Sequence, residues 1–283
     1  MFSREQISDY YDVMTSSYLE YGGPARGWHY GLWDESTDSM EKAIERATTY
    51  LVEELKLAPG MRVLDLGCGV GGLGLLLAER HGVRVDGVTL NAKHCEIARG
   101  LAAERGLSEL LEFHHADFTT MALEPESYQH VFHHESFCYV ADAPAYFRKI
   151  VPALAPGGSW RVLEGVHRGS DDGEVALARH QACQVGWRMA PLMTIPDIEQ
   201  AATDAGLEWR ETDDVSQSIM PTAHLFVEMA AALRRGEVPP GALPTDPAEL
   251  QIKMAHVGAG EAFSQGLIAG QFGYARLTAV KPG

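Results

Sequence analysis

The 283-residue chain is poor in the features that would place it outside a reducing compartment. It has four cysteines, Cys68, Cys95, Cys138 and Cys183, and none of them stands in a CxxC spacing. That excludes a disulfide-framework fold and offers no paired-thiol zinc site. No apolar run approaches the ~20 residues of a membrane-spanning helix. The opening MFSREQ lacks the charged-then-apolar pattern of a secretory signal. Basic residues are scarce as well, 23 Lys and Arg against 39 Asp and Glu, for a net charge of −16. With no long basic block, neither nucleic acid nor an anionic membrane surface is the expected partner. The expected setting is the cytoplasm and the expected partner a small molecule; association between copies of the chain is left open.

What the chain does have is an ordinary globular composition, 46% apolar and 22% charged. Residues 1–57 contain no convincing strand: an aromatic helix over 10–21, a Gly/Pro/Trp loop over 22–33 and an amphipathic helix near 38–56. From residue 61 strands and helices alternate, which predicts a parallel sheet covered on both faces. Strands are expected at 61–66, 83–90, 111–117, 128–134 and 159–166. Helices follow the first (ending at Gly82), the second (opened by Asn91, closed by Gly106) and the fourth (Asp142 to Ala155, ended by the PGG turn at 156–158). A polar insertion at 167–193 leads to TIPD (194–197), a capped helix start, then to a strand at 207–214. Helical stretches near 217–236 and 247–269 precede a last strand at 271–280. One core domain with lid elements fits better than two domains.

The most informative segment is VLDLGCGVGG, 63–72. A strand ends at Asp65–Leu66, and Gly67, Gly69, Gly71 and Gly72 turn the chain into a helix, letting a ligand approach the backbone. Gly67, Gly69 and Gly72 also satisfy GxGxxG, the dinucleotide fingerprint, with Asp86 near the distance of a ribose-binding acid. Two features weigh against that alternative. Asp65 puts a fixed negative charge where a pyrophosphate would sit, whereas a cationic ligand tolerates it. Asp86 falls inside strand two and not at its carboxyl end, where ligands meet an open α/β sheet.

The D-x-G-x-G-x-G arrangement resembles motif I of class I S-adenosylmethionine-dependent methyltransferases. GVTLNAKH (87–94) is similar to the segment after strand two in the branch containing cyclopropane fatty-acid synthases and the sterol, tocopherol and geranyl diphosphate C-methyltransferases. HHADF (114–118) and LAPGGSW (154–160) fit the same family. The resemblance implies an α/β fold with a Rossmann-like, seven-stranded, mostly parallel sheet, helices on both faces and an antiparallel last strand. Residues 1–57 would form an N-terminal helical lid and 58–283 the core, with cap insertions near 167–193 and 217–269. The cofactor implied is S-adenosylmethionine, held by Asp65, Gly67, Cys68, Gly69, Thr89, Leu90 and His134. Asn91 and His94 would meet the ribose, Asp117 the adenine amino group and Phe118 the ring. Asp117 has a plainer reading as a turn residue.

GWHYGLW (27–33) resembles the lid segment that folds over the cofactor's methionine end in the same branch. It implies Trp28 and His29 on the cofactor and Tyr30 toward the substrate, with Tyr11 a further cofactor-side lid residue. Ordinary aromatic packing is the alternative for each. HHESFCYVAD (133–142) looks like the E-S/E-A stretch of the C-methyltransferases, placing Glu135 on its glutamate; a solvated loop carboxylate is the alternative there. A methyl sulfonium needs only a nucleophile held in line. An alkene so attacked becomes a carbocation, which calls for aromatic faces, a carboxylate and a base in a water-poor pocket. Glu135, Tyr30 and Trp187, with Phe137 and Tyr139, are the expected set. An amine or phenol acceptor needs one base, for which His134 and His167 are candidates. The reading is therefore C-methylation of an isoprenoid, such as a prenyl diphosphate, or of another alkene. N- or O-methylation and a methyltransferase-fold cyclase are the alternatives. No resident metal is expected; Mg²⁺ enters only with a diphosphate acceptor, where Arg26, Arg179 and Arg188 are candidate contacts.

Overall fold

The computed structural model of the chain describes residues 2–21, 23, 27, 29–169, 173–237 and 243–283. Trp28 and Arg26 lie outside the described residues. The elements run α1 (Arg4–Tyr21), α2 (Met40–Val52), β1 (Arg62–Leu66), α3 (Gly72–His81), β2 (Arg84–Thr89), α4 (Ala92–Glu104), β3 (Leu111–His115) and β4 (Tyr128–His134). Then come α5 (Ala143–Ala153), β5 (Leu154–His167), α6 (Glu174–Trp187), α7 (Ile195–Asp204), β6 (Glu208–Asp214), α8 (Met220–Arg234), α9 (Pro247–Ile268) and β7 (Phe272–Val280). A 3-10 turn, Phe137–Tyr139, follows β4, and another, Ser216–Ile219, precedes α8.

The seven strands form one sheet in the order β3-β2-β1-β4-β5-β7-β6. β7 runs antiparallel to both neighbours, and the remaining pairs are parallel. The order reverses between β1 and β4, so their carboxyl ends diverge into the crevice where open α/β sheets bind ligands. Apolar clusters cover the two faces, one containing Leu51, Leu77, Val85 and Phe113, the other Phe137, Phe147, Trp160 and Ala202. Each fully buried aromatic or aliphatic side chain contributes roughly 1.5–3 kcal/mol by leaving water.

Local chemistry sets the element ends. Ser39, Asn91, Asp142, Thr194 and Asp246 each accept from a backbone N–H as helix N-caps. Gly71 opens α3 and Gly82 closes it, both left-handed at φ +89° and +63°. The sequence expectation departs from the structure in three places. The first helix begins six residues earlier, at Arg4. The PGG stretch lies within β5, where pairing to β4 starts at Tyr128↔Leu154 and shifts register before His130↔Ser159. The polar insertion over 167–193 holds a 14-residue helix, α6. That helix carries no apolar stripe; its buried residues are His180, Cys183 and Gly186. Gly186 packs so close to α9 that a Cβ there would lie 2.1 Å from Ala255 O and 2.6 Å from Ala259 Cβ. Small-residue packing of this kind leaves no hydrophobic period in the sequence. Among the described residues, no helix is long and apolar enough to cross a membrane.

Candidate functional site

A cavity of about 620 Å³ opens at the carboxyl edge of the sheet, roofed by α1, α6 and α9. Its size is that of a small-molecule site. The glycine turn forms one wall. The amides of Gly67 and Cys68 donate to Val88 O at 2.8 and 3.0 Å, and that of Gly71 to Cys68 O at 2.8 Å. What the turn offers a ligand is therefore close approach: at Gly69, φ +54°, an added Cβ would meet nothing within 4 Å. Gly67, φ +83°, faces Ser136 instead, with a Cβ only 2.3 Å from the serine's own Cβ.

Asp65 is 2% exposed, and its Oδ2 is buried without a hydrogen-bond partner. Burial pushes its carboxyl up to about 7. A lone buried carboxylate is costly unless a cation or donor meets it, so this atom fits the ammonium of an amino-acid-bearing ligand. His134 Nε2 is a second buried atom without a partner. Its ring lies against that of His29, centres 3.7 Å apart and planes tilted by 36°, and burial pulls His29 down to about 4 and His134 well below its usual value, so both rings are neutral at pH 7. His29 is held by Tyr30 O at 3.1 Å and Thr48 Oγ1 at 3.3 Å.

The other expected cofactor residues divide. Asp65, Gly67, Cys68, Gly69, Thr89, Leu90, His94, Asp117, Phe118, His134, His29 and Tyr11 all reach the cavity wall. Asn91 does not; its Oδ1 caps His94 N–H at 2.8 Å, and its Nδ2 donates to Asp12 Oδ1 at 2.8 Å and Ser8 O at 3.1 Å on α1. The amide is spent on ending one element and anchoring another. His94 pairs with Thr15 Oγ1 at 3.1 Å, also on α1, and burial pulls it down to about 4. Asp117 takes an ion pair from Arg4 at 2.6 Å, while its Oδ1 accepts from Thr119 N–H at 2.7 Å. An adenine amino group would share this carboxylate with Arg4. Asp86 is bound to Arg62 at 2.6 Å and Tyr128 Oη at 2.7 Å, away from the cavity, as its place inside β2 requires.

Beyond the cofactor wall lie the acceptor-side groups. Glu135 sits just past β4 with φ +49°, a left-handed conformation that costs a non-glycine residue about 1–2 kcal/mol. Its Oε1 accepts from Tyr30 N–H at 2.8 Å and from the Tyr274 hydroxyl at 2.7 Å. Burial nevertheless pushes its carboxyl up to about 7. Tyr30 lines the cavity, and its hydroxyl is engaged by Gly260 O at 3.2 Å and Ser264 Oγ at 2.9 Å. Trp187 also lines it, packed on Phe263 with ring centres 5.7 Å apart. Tyr139 bonds Tyr11 Oη at 2.8 Å and Trp187 O at 2.9 Å, tying α1 to α6 across the opening.

Phe137 is not part of this wall; it is 1% exposed in the core beside Trp160. His167 stacks on His180 and does not reach the cavity, nor does Arg179. Residues that the sequence reading missed include Glu164 on β5, Tyr274 on β7, Tyr10 on α1 and His256 on α9. Glu164 stands in an apolar strand near its carboxyl end, the same signal that singled out Glu135. Tyr274 had no such signal, because its position beside Glu135 depends on strand order.

Fold and site together define a class I S-adenosylmethionine-dependent methyltransferase: the seven-stranded sheet, the glycine turn at the end of β1 and an unpaired buried acid beside it. Residues 2–231 match the family described as Mycolic acid cyclopropane synthetase, and the chain belongs to it. Two relatives span nearly the whole chain. Methyltransferase GfsG of Streptomyces halstedii is 30% identical over 99% of this chain and 95% of its own. The 27-O-demethylrifamycin SV methyltransferase of Amycolatopsis mediterranei (strain S699) is 28% identical over 90% of this chain and 89% of its own. Among solved structures, the [4+2]-cyclase SpnF superposes with a TM-score of 0.78 at 25% identity, covering 99% of this chain and 97% of that one. The geranyl diphosphate C-methyltransferase of Streptomyces coelicolor A3(2), solved with Mg²⁺, geranyl diphosphate and S-adenosyl-L-homocysteine, gives 0.74 at 18% identity, covering 98% and 97%.

Proposed function

We propose that this methyltransferase C-methylates an alkene-bearing small molecule, an isoprenoid or a comparable apolar metabolite, through a carbocation. The observation that carries the reading is Glu135: a buried carboxylate fixed by Tyr30 N–H and the Tyr274 hydroxyl in a cavity walled by Tyr30, Tyr139, Phe263 and Trp187. S-adenosylmethionine supplies an electrophilic methyl on a sulfonium. Asp65 would hold its amino group, Gly69 would admit it against the backbone, and Asp117 and Phe118 would take the adenine. The acceptor lies between Glu135 and the lid, where aromatic faces and the carboxylate favour developing positive charge. Removal of water from that space strengthens each of these interactions.

The acidic interior argues against a prenyl diphosphate as acceptor. Of the described lining residues only Arg4 and Arg188 are Lys or Arg; Arg4 is paired with Asp117, and Arg188 lies over the Phe2 ring at 5.1 Å. The reading therefore needs no Mg²⁺. The N-terminal segment acts in it as a lid, since α1 reaches the core through Arg4–Asp117, Asp12–Asn91, Thr15–His94 and Tyr11–Tyr139.

One feature favours a second reading, O-methylation. Burial holds His256 neutral, at about 4, and its Nδ1 pairs with Tyr10 Oη at 2.7 Å on the cavity wall, where an imidazole can take a hydroxyl proton. Incubation with methyl-deuterated S-adenosylmethionine and a panel of alkene-bearing and hydroxylated acceptors separates the readings. Label on carbon supports the proposal and label on oxygen the second reading. Turnover of an acceptor without release of S-adenosylhomocysteine would make the chain a cyclase.

A further inference from the structure

Behind the glycine turn and Glu135 runs one continuous chain of buried hydrogen bonds. Trp160 Nε1 donates to Tyr146 Oη at 3.0 Å, Tyr146 Oη meets His133 Nε2 at 2.6 Å, His133 Nδ1 meets Ser136 Oγ at 2.8 Å, and Ser136 Oγ donates to Leu66 O. All four side chains are buried, and His133 does not reach the cavity. The hydrogens of the chain fit in only one arrangement. A carbonyl only accepts, so the single hydroxyl hydrogen of Ser136 goes to Leu66 O. Ser136 Oγ must then accept from His133, which places the ring hydrogen on Nδ1. Burial keeps that ring neutral, pulling it down to about 3. Its Nε2 therefore accepts from the Tyr146 hydroxyl, whose oxygen accepts from the indole.

We propose that His133, held as the Nδ1–H tautomer, is a positioning residue that fixes the glycine turn against the bend at Glu135 and so shapes the cofactor wall. It rests on the glycine turn as that wall, as in the reading above, and not on which acceptor is methylated. The His133–Ser136 bond brackets Glu135, whose φ of +49° needs its neighbours to hold it. The peptide from Leu66 to Gly67 is gripped on both sides, its carbonyl by Ser136 and its N–H by Val88 O at 2.8 Å. The His133 ring also meets Phe118 edge to face, centres 5.2 Å apart, and Phe118 lines the cavity. Without the imidazole, the Ser136 hydroxyl is free to turn from Leu66 O, and the turn loses one of its two restraints. A fully satisfied network of this kind holds one geometry; a broken one leaves buried groups unpaired.

Nitrogen-15 NMR of histidine-labelled protein reads the tautomer directly. The His133 signals, identified by their loss in His133→Asn, should be those of a neutral ring with its hydrogen on Nδ1, unchanged between pH 8 and 6. Calorimetry with S-adenosylhomocysteine reads the positioning. His133→Leu should weaken it about tenfold, the scale of one buried group left unpaired, while His133→Asn, whose amide can donate from near the Nδ1 position, should stay within about threefold of the parent. A packing role ranks the two in the opposite order, because leucine fills more of the space the imidazole leaves. If His133→Leu does not fold, Tyr146→Phe carries the test: it keeps the ring but removes the donor to Nε2, so ring hydrogen should appear on Nε2. A hydrogen on Nε2 in the parent, an unmoved tautomer in Tyr146→Phe, or a His133→Leu affinity at or above that of His133→Asn overturns the role of His133. Gly69→Val, which blocks approach to the backbone, tests the wall itself: parent affinity there withdraws the cofactor reading and this role with it. Lost affinity there beside full affinity in His133→Leu overturns the role alone.

Discussion

The hydroxyl of Tyr274 donates to Glu135 Oε1 at 2.7 Å, joining the antiparallel strand β7 to the residue just past β4 across the intervening β5. That bond holds the carboxylate's ionised form lower than burial alone would, as does the Tyr30 amide. Tyr274→Phe should therefore raise the Glu135 pKa above about 7. Turnover at pH 7 should fall by about 3–10-fold, the scale of one hydrogen bond to a charged group, and recover toward the parent value near pH 9. A pH–rate profile measures both; an unmoved acidic limb would separate Glu135 from the rate.

Thermal stability should peak in a narrow window. Burial lowers the folded-state pKa of His29, His94, His130 and His256 to about 4, of His133 to about 3, and of His134 further below its usual value. As pH falls below about 6.5 the unfolded chain binds protons these rings refuse, so stability is lost. Burial raises Asp65 and Glu135 to about 7 and Glu164 to about 8. As pH rises through that range the folded acids ionise at a cost the unfolded ones do not bear, so stability falls again. Six histidines outweigh three acids on the acid side, and only the acids act above neutrality, which puts the maximum of Tm near pH 6.5–7 for the ligand-free protein. Calorimetric scans from pH 5 to 9 check it; a Tm still rising at pH 8.5 would mean the acids are not buried as described.

Asn91 separates a structural role from a ligand role. Asn91→Ala removes the cap of α4 and the ties to Ser8 and Asp12. It should cost about 1 kcal/mol of stability, the usual value of a cap. Asn91→Asp keeps the cap oxygen but sets a carboxylate against Asp12, so it should raise hydrogen exchange across residues 4–21 with less effect on global stability. S-adenosylhomocysteine should add protection across the same residues in the parent protein. Equal exchange in α1 with and without the Asp substitution would show that α1 is held from elsewhere.

These cases mark how much was legible in advance. The glycine turn, the strand–helix alternation and the caps at Asn91, Asp142 and Thr194 are local, and each was readable from residues a few positions apart. Glu135 was legible because a charge ends an apolar run. Glu164 obeys the same rule but stands inside its run, flanked by Leu163 and Gly165, where it reads as a break in a pattern more than as a site. Tyr274 and His256 reach the cavity only because β7 inserts between β5 and β6 and α9 packs on α1 and α6. No local spacing encodes those choices. Asn91 was read both as a helix start and as a ribose contact; the first is a local property, and its side chain is committed to it and to α1.

The most direct test of the central claim is Glu135→Gln, which keeps the size and one acceptor oxygen but removes the charge. With an acceptor identified by isotope labelling, kcat and the Kd for S-adenosylhomocysteine are measured on the same variant. If the carboxylate stabilises a cationic transition state, kcat should fall by about 10²–10³, the scale of one preorganised electrostatic group, while Kd changes less than about threefold. A kcat equal to the parent's, or a Kd that weakens in step with kcat, would contradict the account.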